Sequence, residues 1–395
     1  MSEWEALRLE DIMTIKHGYA YEGAYFSETG PGPRLVTPGN FTIGGGWQDG
    51  KPKFYLAPDP EEYRLKVGDL IVTMTDLSKT GDTLGYPALV PTGGPFLHNQ
   101  RIGLVNLTNQ SRVDKRYLYY LLHSRSYRNH VLATATGSTV RHTSPSRILE
   151  FECVVPPLDE QRAIAWVLST LDEEIDLNRR IIRLADLTWR SLMSKAQADG
   201  SWSERPLSAL ASFINGRAFT KNATGTGRMV ARIAELNSGP SKSTVYNDID
   251  VPIEHLVVPG DLLFAWSGSL TVQRWFRPEA IVNQHIFKVV PNEGFPVWFL
   301  HGALLDQLPF FRGIASDKAT TMGHIQRHHL DEVVSVPSPE ELVKLDRACF
   351  PLWRRALAAE RETLVLLETR DSLLPQLISG QVRVRDVDSL VEATV

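Results

Sequence analysis

The chain has 395 residues, 43% apolar and 22% charged, with a formal net charge of −4. This is ample material for two ordinary globular domains with their connectors, and the charge balance excludes a strongly basic protein. No apolar run approaches a membrane span, and Met1-Ser2-Glu3-Trp4-Glu5 lacks the basic and apolar regions of a signal peptide, so a soluble, cytoplasmic chain without membrane contact is expected.

In chain order, a first globular stretch, residues 1–155, opens with Leu9-Glu10-Asp11-Ile12 and runs through Lys16-His17-Gly18-Tyr19-Ala20-Tyr21. Gly45-Gly46-Trp47-Gln48-Asp49-Gly50-Lys51 carries the letters of a phosphate loop through its lysine. Pro52 then stands where Ser or Thr must hold magnesium, so a surface turn is expected instead. A Gly-Asp turn follows at Gly68-Asp69, then Asn99-Gln100, then Thr136-Gly137-Ser138-Thr139 ahead of His142.

Pro156-Pro157 ends the last strand of this stretch, and residues 156–200 read as one long spacer helix that Asp159 can cap and Gly200 closes. Ile164, Leu168, Leu171, Ile175, Asn178, Ile182, Ala185, Trp189 and Leu192 alternate by four and three, which is the seam of a coiled coil.

Residues 201–336 then restate the first stretch. Leu207-Ser208-Ala209-Leu210 leads to Asn215-Gly216-Arg217-Ala218-Phe219, Gly260-Asp261 repeats the turn, Asn283-Gln284 repeats the amide pair, and Thr321 and His324 follow Thr139 and His142 at a spacing of 182. Matching order with drifting spacing marks a duplication, because insertions collect in surface loops while core elements keep their place.

A second spacer helix with a tail fills residues 337–395. Its seam, carried forward from the first, falls on Leu345, Cys349, Leu352, Ala356, Ala359, Thr363, Leu366 and Leu373. Pro351 interrupts the pattern and is expected to kink this helix or delay its start. A mixed α/β (α+β) architecture follows: two duplicated domains on a long antiparallel two-helix coiled coil, pseudo-twofold symmetric. Trp189, Trp353, Leu357, Leu364, Leu367 and Leu374 would be only partly covered on such a rod, which implies a protein partner.

The net charge hides a polarity. Residues 1–150 and 201–330 come out at +1 and +2 and residues 151–200 and 331–395 at −3 and −4, with all 11 histidines in the globular parts. Cys153 and Cys349, one at each domain-to-helix boundary, are expected to be buried reduced thiols, with a bridge as the alternative. His324 and His328 could in principle share a helical face as metal ligands, but no third ligand is identifiable, so no metal site is expected. Neither an Asn/Asp-Pro-Pro-Tyr/Phe loop nor a convincing acidic-x-Lys element is present, and no catalytic residues are assigned.

Pro156-Pro157-Leu158-Asp159-Glu160-Gln161-Arg162-Ala163-Ile164, followed by Leu171-Asp172, Ile175 and Asn178, resembles the central spacer of the specificity subunits of type I restriction-modification systems. Arg370-Asp371-Ser372-Leu373-Leu374-Pro375-Gln376-Leu377-Ile378-Ser379-Gly380 is similar to that family's C-terminal end. The resemblance covers the whole chain. It implies two target-recognition domains, each reading one half of a bipartite double-stranded DNA site, and helices that set the half-site spacing and dock two methyltransferase subunits, with restriction subunits attached to those. It also implies no cofactor in this chain, with S-adenosylmethionine, ATP and Mg on the partners. Ala359 in place of a second Asn178, and Pro351, depart from the pattern.

Phosphate contacts need Lys, Arg, hydroxyls or backbone amides, and base reading needs Arg, Asn or Gln. The first copy offers Lys16, His17, Lys79, Thr80, Asn99, Gln100, Arg101, Ser138, Arg141, His142 and Arg147. The second offers Arg217, Lys221, Ser267, Ser269, Arg274, Asn283, Gln284, Lys318, Thr320, His324 and Arg327. For the Asn-Gln pairs the alternative is a buried amide serving a strand end. Two other functions stay open: a non-catalytic coiled-coil adaptor binding proteins rather than DNA, and a duplicated hydrolase recognisable by a deep pocket with converging His and carboxylates.

Overall fold

The computed structural model describes residues 4–200, 202–317 and 323–384. The chain divides into two compact units: residues up to Glu173 together with those from Glu368 form unit 1, and Glu174–Leu367 forms unit 2.

In unit 1 a four-stranded antiparallel sheet runs in the order Met13–His17, Ile102–Leu107, Leu70–Thr73, Pro87–Leu89. Met13 and Ile15 point inward and Thr14 outward, the alternation of a strand with one buried face. In a second, mixed sheet Phe96–His98 lies between Arg34–Val36, to which it is parallel, and Arg64–Leu65, to which it is antiparallel. Glu5–Arg8 pairs with Glu152–Val155, the strand that feeds the first long helix. Asp114 caps the helix Lys115–Leu121 by accepting from the Arg116 and Tyr117 amides. Gln161, fully buried on the long helix, accepts from the Asp114 amide and donates to the carbonyls of Arg112 and Pro156.

Unit 2 repeats this plan, with four strands in its mixed sheet where unit 1 has five. Its antiparallel sheet runs Ala211–Asn215, Ile286–Pro291, Leu262–Ala265, Thr271–Arg274. Its mixed sheet has Ala280–Val282 parallel to Arg228–Ala231 and antiparallel to Leu256–Val257. Ser203–Pro206 pairs with Val333–Val336 as Glu5–Arg8 does with Glu152–Val155. The Gly-Asp turns are equivalent to the atom: the Gly68 amide donates to Val90 O and the Gly260 amide to Trp275 O, both at 2.8 Å. One helix, Val297–Asp317, covers the sheet where unit 1 uses two.

The first long helix is Leu158–Asp199 and the second Pro339–Ser379. In unit 1 Ile164 and Leu168 are buried in one apolar cluster with Leu377, and Leu373 packs on it. In unit 2 Asn178 donates to Glu362 at 3.1 Å and the Cys349 thiol to Trp189 O at 3.8 Å, so within this unit the two helices run antiparallel. Ile175, Asn178, Ala356 and Ala359 are buried, and Leu171, Ile182, Leu192, Leu345, Leu352 and Leu366 half-buried. A fully buried Ile or Leu contributes roughly 1.5–3 kcal/mol. The mixed α/β duplicated fold with paired long helices is the one expected. Both cysteines are free and buried.

Three expectations change. Pro351 does not delay the start. The second long helix begins twelve residues earlier, and Pro351 lies on its exposed face, where water can serve the carbonyl that loses its amide. Asp159 lies in the first turn of a helix that starts at Leu158, favouring the positive helix end rather than capping it. Trp189 and Trp353 are 0% and 2% exposed, because they pack under the unit 2 domain with Trp298 and Phe299. Leu357, Leu364, Leu367 and Leu374 are partly covered as expected, and the most open large apolar side chains on the long helices are Trp166, Leu177, Leu184, Leu187, Val343, Phe350 and Val365.

Candidate nucleic-acid interface

In each unit the ends of the antiparallel strands and the segments around the equivalent histidine form one edge, wired by main-chain hydrogen bonds. In unit 1 the Gln100 amide donates to Tyr19 O, the Met74 amide to Arg101 O, and the Thr143 amide to Met74 O, at 2.9–3.0 Å. Arg141–His142 pairs antiparallel with Thr75–Asp76, and Thr136 and His142 exchange backbone hydrogen bonds to close a hairpin. His17, Asn99, Gln100, Arg101, Ser138, Arg141 and His142 are thereby carried by neighbouring backbone segments. Thr75 Oγ1 meets His142 Nδ1 at 3.3 Å.

The loop after Thr75 is held from beneath. Asp76, 5% exposed, accepts from the Ser78 amide at 2.6 Å, from the Thr83 hydroxyl at 2.7 Å and from the Thr83 amide. Burial alone would raise the Asp76 carboxyl, but these hydrogen bonds outweigh it and hold it below the usual carboxylate range. Arg128 adds bonds to the carbonyls of Leu84 and Gly81. Lys79 and Thr80 are thus presented, exposed, on a fixed loop.

Unit 2 builds the same edge. The Trp266 amide donates to His285 O and the Ile325 amide to Trp266 O, as Met74 does with Arg101 and Thr143 does with Met74. Ser267 bridges to His324, as Thr75 pairs with His142. Tyr19 bridges Asn99, and Arg217 bridges Asn283, in parallel. Arg217, Gln284 and His324 therefore lie on one edge, with Ser269 exposed on the loop between its strands.

Several assigned residues are otherwise engaged. Arg274 is no surface contact: it is 3% exposed and bonded to Asp186 and Glu360, because its strand register opposite Leu262 turns it inward. Asn283, 3% exposed, is a buried amide at a strand end. Asn99 accepts from the Arg101 amide and so shapes its own turn. Ser267 is buried and supports His285 Nδ1 at 3.0 Å. Lys16 donates to Glu62 O and lies over the Tyr63 ring at 4.1 Å. Arg147 donates to Thr136 Oγ1, and Arg327 to Phe213 O at 3.4 Å away from the Ser267 loop. Lys221 is exposed on the turn after Arg217. Lys318 and Thr320 lie outside the described residues.

Two residues at the unit 2 edge carry no sequence assignment: Trp266, whose indole donates to Asn215 Oδ1 at 2.9 Å, and His285, whose ring lies 5.8 Å from it. Trp266 occupies the place of Met74, each standing six residues after the glycine of the repeated Gly-Asp turn. His324 and His328 share no helix: His324 lies in an extended bridge, His328 in the short 3-10 helix Arg327–Asp331. Among the described residues no group of three or more His, Cys, Asp or Glu could hold a metal ion, and no helix is long and apolar enough to cross a membrane.

Residues 1–185 match the type I restriction modification DNA specificity domain. This part of the chain is similar to that family. The EcoBI specificity subunit of Escherichia coli is 27% identical over 173 residues, 44% of this chain and 33% of that protein. The MjaVIII specificity subunit of Methanocaldococcus jannaschii is 24% identical over 183 residues, 45% of this chain and 41% of that protein. The chain thus spans less than half the length of either of these specificity subunits. The MjaIX specificity subunit of the same archaeon extends the likeness into unit 2, at 21% identity over 340 residues, 77% and 76% of the two chains. A crystal structure of a type I restriction-modification system S subunit from M. genitalium shares the fold, with a TM-score of 0.62 at 18% identity over 95% of this chain and 96% of that one. The specificity-subunit resemblance read from the two spacer segments is met.

Proposed function

We propose that this chain is the DNA-recognition subunit of a type I restriction-modification complex, reading a bipartite site with one edge per unit and docking methyltransferase subunits on its long helices. The observation that carries the reading is the double construction of one main-chain edge with different side chains at equivalent places: Tyr19, Met74 and Arg101 in one unit, and Arg217, Trp266 and His285 in the other. Two half-sites of different sequence need that arrangement.

In this reading the chain does no chemistry. S-adenosylmethionine, ATP and Mg belong to the methyltransferase and restriction subunits. Net charges of only +1 on residues 1–150 and +2 on residues 201–330 predict weak DNA binding by the isolated chain, with most affinity arising in the complex.

The test is co-expression with a methyltransferase subunit and mapping of methylated adenines by single-molecule sequencing. A split motif with a fixed gap supports the reading. A stable complex that methylates nothing replaces it with the protein-binding adaptor. Exchanging residues 1–150 for those of another family member changes one half-site only, and inserting whole turns into both helices changes the gap alone.

A further inference from the structure

Arg274 ends the strand Thr271–Arg274, whose other end carries the exposed loop with Ser267 and Ser269. The strand is about 10 Å long at 3.3 Å per residue. Its guanidinium donates to both Asp186 oxygens, at 2.9 Å each, and to both Glu360 oxygens, at 2.7 and 3.0 Å. Asp186 is on the first long helix and Glu360 on the second, so one side chain ties a strand of the recognition domain to both helices of its own unit. The group lies 5.5 Å from the Trp353 ring, and the cluster includes buried His301, whose Nδ1 accepts from the Trp353 indole at 3.2 Å. Burial opposes the Arg274 charge, yet the two carboxylates more than offset it and the guanidinium is held protonated.

Unit 1 makes this connection elsewhere and by other means. Tyr120 of its domain donates to Asp172 of the first helix at 2.7 Å, and Arg370 of the second donates to the same carboxylate at 2.9 Å. The positions 181 residues away from Tyr120, Asp172 and Arg370 are His301, Trp353 and Trp189, an aromatic cluster with no ion pair. The position paired with Leu70 in unit 1, as Arg274 is with Leu262, is Leu89. Each domain therefore has one charged tie to both helices, and the tie in unit 2 is not inherited from the duplication. A buried bidentate pair is a weak source of stability but a strong source of fixed geometry.

We propose that Arg274 is a positioning residue that fixes the angle of the unit 2 reading edge on the long helices, and so determines how strictly the complex discriminates the gap between half-sites. This rests on the recognition function proposed above. Glu360→Gln keeps the shape and removes one charge, and Arg274→Lys keeps the charge and removes the fork.

Each variant is co-expressed with the methyltransferase subunit, its melting temperature is recorded, and adenine methylation is mapped on DNA carrying the same half-sites at the native gap and at one base pair more or less. The expected result is unchanged half-site sequences, with the preference for the native gap falling about ten-fold or more, the scale on which small misplacements act. Variants that melt lower but keep the wild-type preference would show a merely structural role and overturn the proposal, leaving the recognition reading intact. A folded variant with an altered half-site sequence would also overturn it. If the wild-type complex has no split motif, the recognition reading fails and the proposal with it. Should Arg274→Lys not fold, Glu360→Gln alone decides.

Discussion

Gly18 lies against the main chain of Asn99 so closely that a Cβ on it would stand 2.1 Å from the Asn99 carbonyl oxygen. Gly216 repeats the relation with Asn283 at 2.3 Å. Neither glycine is there for an unusual backbone angle; each is there because the strand turn passes where a side chain would begin. Gly18→Ala and Gly216→Ala should each destabilise their unit by about 2 kcal/mol, the usual scale of overpacking. Urea melts read this directly, and an unchanged midpoint would refute the close approach.

Asp76→Ala removes the acceptor that three donors of the 78–83 segment share. The expected cost is about 2 kcal/mol, with faster proteolysis confined to residues 77–84. Because the folded carboxyl is held below its unfolded value, its contribution is present above the unfolded carboxylate pKa and is lost as pH falls through the folded one. Equal cleavage rates in wild type and variant would show that the loop is held by something else.

His98 and His301 are pushed down to about 4 and about 3 by burial, with the charge of Arg274 adding at His301. Unfolded histidines protonate near 6.5, so the stabilising difference is complete above that pH and disappears as pH falls toward the folded values. Each should cost about 3 kcal/mol of stability on going from pH 7 to pH 4. Histidine ring resonances followed by NMR give the check; titration of either ring near 6.5 in the folded protein would contradict the burial argument.

Lys79 and Arg101 are exposed on the unit 1 edge. In the assembled complex, Lys79→Ala should weaken binding uniformly across DNA sequences and reduce the salt slope by about 1, the signature of a lost phosphate contact. Arg101→Ala should cost about 1–3 kcal/mol and relax one position of the first half-site only. If both variants leave affinity and motif untouched, DNA does not meet this edge.

The fold was legible where the duplication repeats a physical necessity. The Gly-Asp turns and Gly18 with Gly216 recur because turns and close backbone approach tolerate few residues there, and the seam recurs only as a row, Ile164, Ile175 and Asn178 being matched by Leu345, Ala356 and Ala359. The site was less legible, because residue type says nothing of strand register. Arg274 reads as a loop cation until its pairing with Leu262 turns it inward, and Asn283 reads as a base reader until its burial is seen. Trp189 fits the heptad and Trp353 lies one residue past its Leu352, yet the heptad gives no sign that a domain also covers them. His301 stands 181 residues from Tyr120, yet its residue type gives no sign that it is buried against Trp353.

The wiring of each edge runs through amides and carbonyls, from Met74 to Arg101 in one unit and from Trp266 to His285 in the other. Every residue type except proline supplies those atoms, so the side chains at such positions are replaceable parts on an unchanging chassis. Under the proposed function, point changes at the rim would exchange one lexicon for another without disturbing this wiring. The same would hold separately for each edge, so two vocabularies would drift independently within a single polypeptide.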